Sequence, residues 1–429
     1  MPYDRSPFAM IDLIDYLYVH LTNTHNINLD QAKHRGRFIK AISQVQINGI
    51  PIDYYRYAKL PSKQQVVNHY SKEYDVFTGT SICPKLLARY CDEQHIELGV
   101  DLFSKEHISC KELKQLTSST PELKEIYHIS CLLQGNDKRL LHTDPGTFRN
   151  TAYLNPFGTT TGRNNPKLSE FIYGQPKWIR SLIKPEKNTS LAYIDWNQQE
   201  FGIAAALSND AKMIDAYLSG DPYLQFAIRS GSLPSDATKE THPEGRNRYK
   251  QAVLAIQYGI GPKSLSSLLN SSESEAERII SQFYACYKSY ANWCFHQINQ
   301  ALFCGEIHTP FGWNRRICRD TSENSIKNYP VQAYGAELMR EATCLLIESG
   351  IKVCSTIHDA FLIESTTDQI EVDVNKAQQH MVRASTLVLD GFELSSEAQI
   401  VSYPYRFSDN ETESIWDMAS SIIRGLRNE

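Results

Sequence analysis

The pattern of hydrophobic and polar positions divides the chain into long helical stretches separated by short apolar runs. A helical repeat predicts a basic amphipathic helix over residues 34–45 and mostly helical structure over 54–134. The repeat is lost over 142–167, where Thr, Asn, Gly and Pro dominate and predict loops with short strands. It returns over 210–300, so the pattern indicates two helical segments on either side of a loop-rich region.

Short apolar runs, typical of buried strands, lie between and after these helical segments. Leu191–Ile194 forms one such run, residues 305–319 resemble a β-hairpin, and residues 351–365 predict a strand, a tight turn and a second strand. A helix is predicted over Tyr329–Ser349 and is ended by Gly350. Two of the predicted strands lead directly into an aspartate.

An aromatic-rich helix is predicted to follow Ser271–Glu275, whose polar and acidic residues are typical of a helix start. Its aromatic residues are predicted to be core, because an aromatic stripe on a helix more often packs inside a protein than stacks against bases. These residues are Phe283, Tyr284, Tyr287, Tyr290, Trp293 and Phe295.

Asp195 and Asp359 are the two aspartates that follow predicted strands, the second within the tip sequence His358-Asp359. An aspartate at a strand end often does no more than cap the next helix. If the two strands lie side by side in one sheet, the carboxylates converge, and convergent carboxylates suit Mg²⁺. Two such ions about 4 Å apart stabilise the attacking and leaving oxygens of phosphoryl transfer. The two aspartates are therefore candidate metal ligands.

A second candidate site is a helix face within the sequence RNRYKQAVLAIQYGIG. Arg246, Lys250, Leu254 and Tyr258 recur there at four-residue steps. Each step drifts roughly 40° around a helix, so the four residues share one broad face. Two cations followed by an apolar residue and a tyrosine fit a nucleoside triphosphate lying along the helix. Two cations alone are more often a solvated surface, but together with two strand-end aspartates they indicate a nucleotide site.

Composition restricts the class of protein further. With 429 residues, 41% of them hydrophobic and 22% charged, the chain is typical of a globular protein with two or three subdomains. No window approaches the run of about 18 apolar residues that a membrane helix needs, and the N-terminus does not resemble a secretory signal. Ten cysteines stand singly, without zinc-site spacing, which indicates reduced thiols in a cytoplasm. The net charge of −5 does not by itself favour nucleic acid, but basic residues cluster locally.

In the order of its motifs the chain resembles the family A DNA polymerases, the group of bacterial DNA polymerase I and its phage relatives. The three main motifs are Asp195 with Gln198 and Glu200, then Arg246 and Lys250 with Tyr258 and Gly259, and then His358-Asp359. Supporting matches are Thr161-Gly162-Arg163, Arg180, and the group Asn328, Pro330 and Gln332. Ordered motifs of this kind are hard to produce by chance.

The resemblance implies an α+β fold of right-hand architecture, in which an antiparallel palm sheet carries helical fingers and a helical thumb. The implied domains are an N-terminal remnant helix over 1–33, a thumb-like helical domain over 34–150, a first part of the palm over 151–224, fingers over 225–304 and a second part of the palm over 305–429. The remnant includes an amphipathic helix predicted at 11–21 and is too short for the family's proofreading exonuclease domain.

The resemblance also implies a role for each matching residue. Asp195 and Asp359 would bind two Mg²⁺ ions, with Mn²⁺ as a substitute and the backbone carbonyl of Trp196 as an extra ligand. Arg246 and Lys250 would hold the β- and γ-phosphates, and Lys250 would protonate the leaving pyrophosphate. The catalytic residues implied are therefore Asp195, Asp359 and Lys250.

Two further groups of residues would contact the nucleotide and the DNA. Glu200 would lie against the sugar and exclude a ribose 2′-hydroxyl, and Tyr258 would pack near the templating base. The nucleotide-binding residues implied are Arg246, Lys250, Leu254, Tyr258, Glu200, Gln198 and Tyr223. The DNA-binding residues implied are Arg163, Arg180, Gln332, Asn328 and His358. Of these, Arg163 and Gln332 are suited to the minor-groove acceptors that correctly paired bases present.

Four positions depart from the residues usual in the family. Leu254 stands where Phe or Tyr is usual, and Ala360 stands where a Glu commonly follows the His-Asp pair. Tyr223 stands where a phosphate-contacting His is usual, and Asn324 stands where an Arg is expected. These departures bear on efficiency, fidelity and metal preference rather than on the type of reaction.

Three other functions compete with DNA synthesis. A single-subunit RNA polymerase shares the two aspartates and the cationic helix, but it has a small residue where this chain has Glu200. A template-binding relative that has lost catalysis is left open by Leu254 and by Ala360 after Asp359, but both aspartates and the triphosphate face are present and argue against it. A metal-dependent hydrolase gives no reason for the face from Arg246 to Tyr258.

The function expected is template-directed DNA synthesis from a primer 3′ end. The expected partners are primer-template DNA and deoxynucleoside triphosphates, and the protein is expected to act as a monomer in a bacterial cytoplasm or nucleoid, away from membranes. The role is left open between repair, lesion bypass and replication of a mobile element, as are any accessory proteins.

Overall fold

The computed structural model describes residues 28–135, 143, 144 and 146–428, so the helix predicted at 11–21 lies outside the described residues. The first described helix, α1 (Leu29–Asn48), begins before the predicted position because the Asn28 side chain accepts hydrogen bonds from the first backbone N–H groups. The helix ends at Gly49, whose φ is +59°. It therefore runs across the predicted domain boundary between residues 33 and 34.

A helical segment with one small hairpin follows α1, as the repeat over 54–134 predicted. In chain order its elements are β1 (Ile50–Pro51), α2 (Tyr54–Ala58), α3 (Lys63–Tyr70), β2 (Phe77–Thr78), β3 (Ser81–Ile82), α4 (Pro84–Glu93), α5 (Cys110–Leu116), a 3₁₀ turn (Pro121–Leu123) and α6 (Lys124–Gly135). Side-chain caps begin several of these helices, and Ser62 forms a reciprocal capping box with Gln65 at the start of α3.

The region after α6 consists mostly of loops, as the loss of helical repeat predicted. Its elements are β4 (Arg149–Asn150), β5 (Leu154–Asn155), β6 (Asn165–Pro166), a 3₁₀ turn (Ile172–Gly174) and α7 (Lys177–Arg180). Buried Arg149 anchors this region, because its guanidinium donates to the carbonyl oxygens of Asn48 and Gly49 and to Glu364 at 2.6 Å. The ion-paired side chain of Arg149 thus joins the loops and the end of α1 to the central sheet.

The remainder of the chain alternates between strands and helices. Strand β7 (Thr189–Trp196) comes first. The helices that follow it are α8 (Gln199–Ser208), α9 (Ala211–Leu218), α10 (Pro222–Arg229), α11 (Pro243–Gln257), α12 (Pro262–Leu269), α13 (Glu273–Cys286) and α14 (Lys288–Cys304). The last elements are β8 (Glu306–His308), β9 (Asn314–Arg316), α15 (Glu323–Glu348), β10 (Lys352–Ile357), β11 (Ala360–Thr366), α16 (Ile370–Val388), β12 (Ser396–Ser402) and α17 (Asn410–Asn428).

A four-stranded antiparallel sheet lies at the centre, with its strands in the order β10, β11, β7 and β12. Side chains alternate between its faces along β7, where Ile194 and Trp196 are buried while Tyr193 and Asp195 are partly exposed. Helix α16 packs on the sheet against β7, β11 and β12. The fold is thus of the predicted α+β class, with one sheet face open at the Asp195 end.

The aromatic-rich stretch forms two helices rather than one, because α13 ends at Cys286 and α14 begins at Lys288. Phe283, Tyr287 and Tyr290 are buried among one another, with ring centroids 5.0 Å apart for the first two. The prediction of core is therefore right for these residues. It is wrong for Phe295, whose side chain is 65% exposed on the outer side of α14.

Helix α15 starts before the predicted Tyr329 because Ser322 caps it, and the helix continues through Pro330. Helix α1 packs against α15 and β10, and Arg37 bonds to Glu341 and Glu348 on α15. The start of the segment predicted as thumb therefore packs against the segment predicted as palm. Across the described residues, no helix is both long and apolar enough to cross a membrane.

Candidate active site

The two candidate metal ligands meet at one end of the central sheet. Asp195 lies near the end of β7, opposite Ala360 of β11, and Asp359 immediately precedes Ala360 in the turn from β10. The backbone N–H of Trp196 donates to the carbonyl oxygen of Asp359 at 3.4 Å, which holds this turn against the strand end. The prediction that the two aspartate-bearing strands are neighbours needs correction, because β11 lies between β10 and β7. The turn, rather than adjacent strands, brings the carboxylates together.

Burial and like charge make this pair of carboxylates electrostatically costly without a cation. Burial, together with the neighbouring charges of Asp359 and Glu397, raises the pKa of Asp195 to about 7. Burial also raises the pKa of Asp359. The Oδ1 atom of Asp195 is buried without a hydrogen-bond partner. An unpartnered carboxylate oxygen beside a second carboxylate fits a hard divalent cation, which prefers oxygen ligands. Within the described residues, no three ligand-type side chains are already grouped for a metal ion.

Trp196 and Gln198 shape the connection from β7 to helix α8. The Trp196 side chain is buried against Phe361, and the predicted ligand role of its carbonyl stays a prediction. Gln198 has a left-handed φ of +41° at the start of α8, and its carbonyl oxygen accepts from the N–H of Gly202. This sharp turn leads directly into α8, which carries Glu200 in its first turn.

The predicted triphosphate face is formed by helix α11 together with Tyr223 of α10. Arg246 lies over the Tyr223 ring at 5.4 Å and Lys250 at 5.9 Å, so the two cations share one aromatic ring. Arg246 also bonds through Nε to Asp221 at 2.8 Å. Lys250 is exposed and lowers the pKa of Asp195, which places its positive charge toward the carboxylate pair. The face and the carboxylates therefore belong to one site.

Glu200 and Tyr258 form a wall beside that site. The Tyr258 hydroxyl donates to both oxygens of Glu200, at 2.7 and 2.8 Å, and Arg163 Nη2 lies 3.3 Å from Glu200. Burial and the Glu200 charge raise the pKa of Tyr258 to about 12, so the phenol remains a donor at neutral pH. Gln332 also bonds to the Tyr258 side chain. Four predicted contact residues from separate segments are thus brought together, and Leu254 lies part-buried one turn before Tyr258.

Three side chains at the start of α15 hold the C-terminal end of α11, and two of them were not predicted as site residues. Asn324 donates to the Gly259 carbonyl at 3.0 Å, Lys327 to the Ile256 carbonyl at 3.1 Å, and Asn328 to the Tyr258 carbonyl at 3.1 Å. We call Asn324, Lys327 and Asn328 the α11 clamp. The otherwise unpaired carbonyls of a helix end need such donors. No local sequence signal indicated Lys327, because its role depends on a contact with the distant helix α11.

A second unpredicted group fixes the turn that carries Arg163. Arg340 Nη1 donates to the Gly162 carbonyl at 2.5 Å, and Trp313 Nε1 donates to the Thr160 carbonyl at 3.0 Å. Arg340 is buried and pairs with Glu337, whose pKa is about 2 because hydrogen bonds and Arg340 outweigh its burial. No motif indicated Arg340, because its role depends on contacts between distant segments.

Two predicted DNA contacts lie at the margin of this assembly. His358 is exposed in the turn with a φ of +49°, and its charge lowers the pKa of Asp359. Arg180 is exposed and donates to the Gln175 carbonyl at 3.0 Å. Burial and the charges of Asp195 and Asp359 raise the pKa of Tyr193, and the charge of Arg180 lowers it, so Arg180 lies near the Tyr193 side of the site.

A central antiparallel sheet with two convergent carboxylates, beside a helix that presents cations, is the arrangement typical of the right-hand class of nucleic-acid polymerases. Residues 106–399 match the family described as DNA polymerase family A, and the chain belongs to that family.

The chain is similar to DNA polymerase I of Aquifex aeolicus (strain VF5), with 24% identity over 387 residues, 85% of this chain and 65% of the relative. It is also similar to the thermostable DNA polymerase I of Thermus aquaticus, with 25% identity over 261 residues, 56% of this chain and 31% of the relative. The chain thus spans less than two thirds of either relative.

The fold matches the solved POL domain of Pol1 from M. smegmatis, a complex with DNA primer-template and dNTP. The TM-score is 0.66 at 20% identity, and the match covers 92% of this chain and 74% of that domain. The likeness supports the right-hand architecture predicted from the sequence. The positions of the domain boundaries stay predictions.

Proposed function

We propose that the protein is a template-directed DNA polymerase that adds deoxynucleotides to a primer 3′ end and releases pyrophosphate. The observation that carries the proposal is the convergence of Asp195 and Asp359 beside the cationic face of α11 and the Glu200–Tyr258 wall. Membership of DNA polymerase family A supports it. Primer-template DNA and deoxynucleoside triphosphates are the proposed partners.

Asp195 and Asp359 would hold two Mg²⁺ ions, with Mn²⁺ as a substitute. Such ions, when bound, make the primer 3′-hydroxyl more acidic and neutralise charge at the α-phosphate. Lys250 contributes its ammonium group, whose charge acts on Asp195 and which can protonate the leaving pyrophosphate. Arg246 holds a phosphate, and its bond to Asp221 fixes the direction of the guanidinium.

The Glu200–Tyr258 wall selects the sugar of the incoming nucleotide. Because two short hydrogen bonds hold Glu200 in place, its side chain cannot easily move aside for a ribose 2′-hydroxyl. Arg163 and Gln332 lie on the same wall and suit the minor-groove acceptors of a correct base pair. This arrangement favours deoxynucleotides over ribonucleotides and argues against the RNA polymerase alternative.

Primer extension on a labelled duplex tests the proposal. Asp359→Asn and Asp195→Asn are each expected to lower the rate by at least about 10³-fold, because each removes a ligand that stabilises transition-state charge. Asp236→Asn, in an exposed loop, is the matched control and should extend normally. Normal extension by Asp359→Asn would contradict the assignment. Binding of the primer-template by the wild type without extension would favour the template-binding alternative.

In a second version of the primer-extension assay, ribonucleotides are supplied instead of deoxynucleotides. Wild type should use them poorly, and Glu200→Ala should improve their use relative to deoxynucleotides by about tenfold or more, since one contact in a pocket is worth about 10–200-fold in selection. Equal use of both nucleotide sets by the wild type would favour the RNA polymerase alternative. The same assay on gapped and damaged templates tests for a role in repair or lesion bypass. The enzyme is proposed to act as a monomer in a bacterial cytoplasm or nucleoid.

A further inference from the structure

The central sheet places a third acidic residue beside the candidate metal ligands. In the register of β12 against β7, Glu397 lies directly opposite Asp195. On the other side of β7, Ala360 of β11 lies opposite the same aspartate. Residues directly opposite in antiparallel strands project from the same face of a sheet, with Cβ atoms about 4.5–5.5 Å apart. Ala360, Asp195 and Glu397 thus form one row across the sheet.

The two ends of this row differ in what they offer a cation. Ala360 is fully buried and has no polar side-chain atom, so strand β11 contributes no charge there. Glu397 is exposed, and its charge, with burial and Asp359, raises the pKa of Asp195. The strand on one side of Asp195 therefore offers no acid, and the strand on the other side offers Glu397.

Among the described residues, Glu397 is not grouped with Asp195 and Asp359 as a third direct ligand. The described residues contain no preassembled group of three ligands, and an exposed carboxylate on the edge strand fits contact through water or through its field. Relying on the polymerase function proposed above, we propose that Glu397 is the third acidic residue of the cation site and strengthens divalent-metal binding from strand β12. It is a positioning residue rather than a catalytic one.

The simplest competing explanation is that Glu397 only protects the edge strand. Charged side chains on an edge strand keep it from pairing with other chains. In that case its removal leaves metal binding unchanged and instead promotes aggregation. The two explanations therefore predict opposite results in a direct measurement of metal binding.

The test measures Mn²⁺ binding to the protein without DNA, from the loss of the free-ion electron paramagnetic resonance signal, for wild type, Glu397→Gln and Glu397→Lys. A unit charge about 8 Å from a divalent ion in a water-like dielectric changes binding about fivefold. The Kd for Mn²⁺ should therefore rise about fivefold in Glu397→Gln and about 25-fold in Glu397→Lys. Glu393→Gln, another exposed acid shortly before β12, is the matched control and should bind as wild type does.

Primer extension as a function of Mg²⁺ concentration provides the second readout. Glu397→Gln should raise the half-saturating Mg²⁺ concentration about fivefold while the rate at saturating Mg²⁺ stays near that of wild type. Unchanged Mn²⁺ binding in both Glu397 variants would overturn the inference, even if the wild type extends primers normally. Failure of the wild type to extend primers would instead refute the proposed function, and the Mn²⁺ measurement would still decide whether Glu397 serves the cation site.

Discussion

The raised pKa of Asp195 predicts that the metal-free protein becomes less stable as the pH rises, and that Asp195→Asn removes this loss. The pKa of about 7 in the folded protein lies above the ordinary value of 3.8. Between these two values the folded state keeps a proton that the unfolded state has released. Stability from this group is therefore fully present below pH 3.8 and is lost as the pH rises through about 7.

The size of the effect follows from the same values. Each pH unit within that window changes the free energy of unfolding by about 1.4 kcal/mol, so the whole window corresponds to about 4 kcal/mol. Asp195 is partly exposed, and solvent screening reduces this to about 2 kcal/mol. With a metal chelator present, Asp195→Asn should therefore be more stable than wild type by about 2 kcal/mol at pH 8, and the difference should shrink toward pH 4.

Urea unfolding followed by tryptophan fluorescence, at several pH values and with chelator, measures the difference. Asp236→Asn, which changes an exposed loop, is the control and should show no pH-dependent difference from wild type. Added Mg²⁺ should stabilise wild type at pH 8 but not Asp195→Asn, because the ion binds the ionised carboxylate. The reasoning is refuted if Asp195→Asn is no more stable at pH 8, or if its advantage grows toward acid pH.

Two further predictions concern residues that support the site. Lys327→Met removes the ammonium that bonds to the Ile256 carbonyl, so it should lower the unfolding free energy by about 1–3 kcal/mol in urea unfolding. In steady-state primer extension it should raise the KM for nucleotide more than it lowers kcat. Gly162→Ala forces a methyl group to within 2.7 Å of the Trp313 ring at a φ of +76°. It should weaken primer-template binding in fluorescence anisotropy, whereas Gly220→Ala, with a φ of +89° in open space, should leave binding unchanged.

Much of the fold follows from local patterns in the sequence. The hairpin at 305–319, the turn that carries Asp359 and the helix start at Ser272 were predicted because each depends on a few neighbouring residues. The predicted element boundaries were wrong where a helix cap or a contact with a distant segment decided where the element begins. Helix α15 extends to Ser322 and tolerates Pro330 because the surrounding fold supports its first turns.

The candidate site was predictable to the extent that its residues follow a spaced motif. The face from Arg246 to Tyr258 and the two aspartates could be read along the chain, and the structure brings them to one sheet end. The α11 clamp through Lys327 and the Arg340 bond to Gly162 could not be predicted from the sequence, because each joins segments that are far apart in the chain. Such contacts leave no periodic signal in the chain.

The sequence by itself determined which residues can perform the chemistry and which local elements carry them, because helix faces, strand ends and turns depend on nearest neighbours. Only the tertiary structure decided which strand lies beside which. The period of two along a strand specifies the face on which a side chain lies but not its partner on the next strand. For that reason Asp195 was recognisable from its own surroundings, whereas the place of Glu397 opposite it depended on the register of β12 against β7.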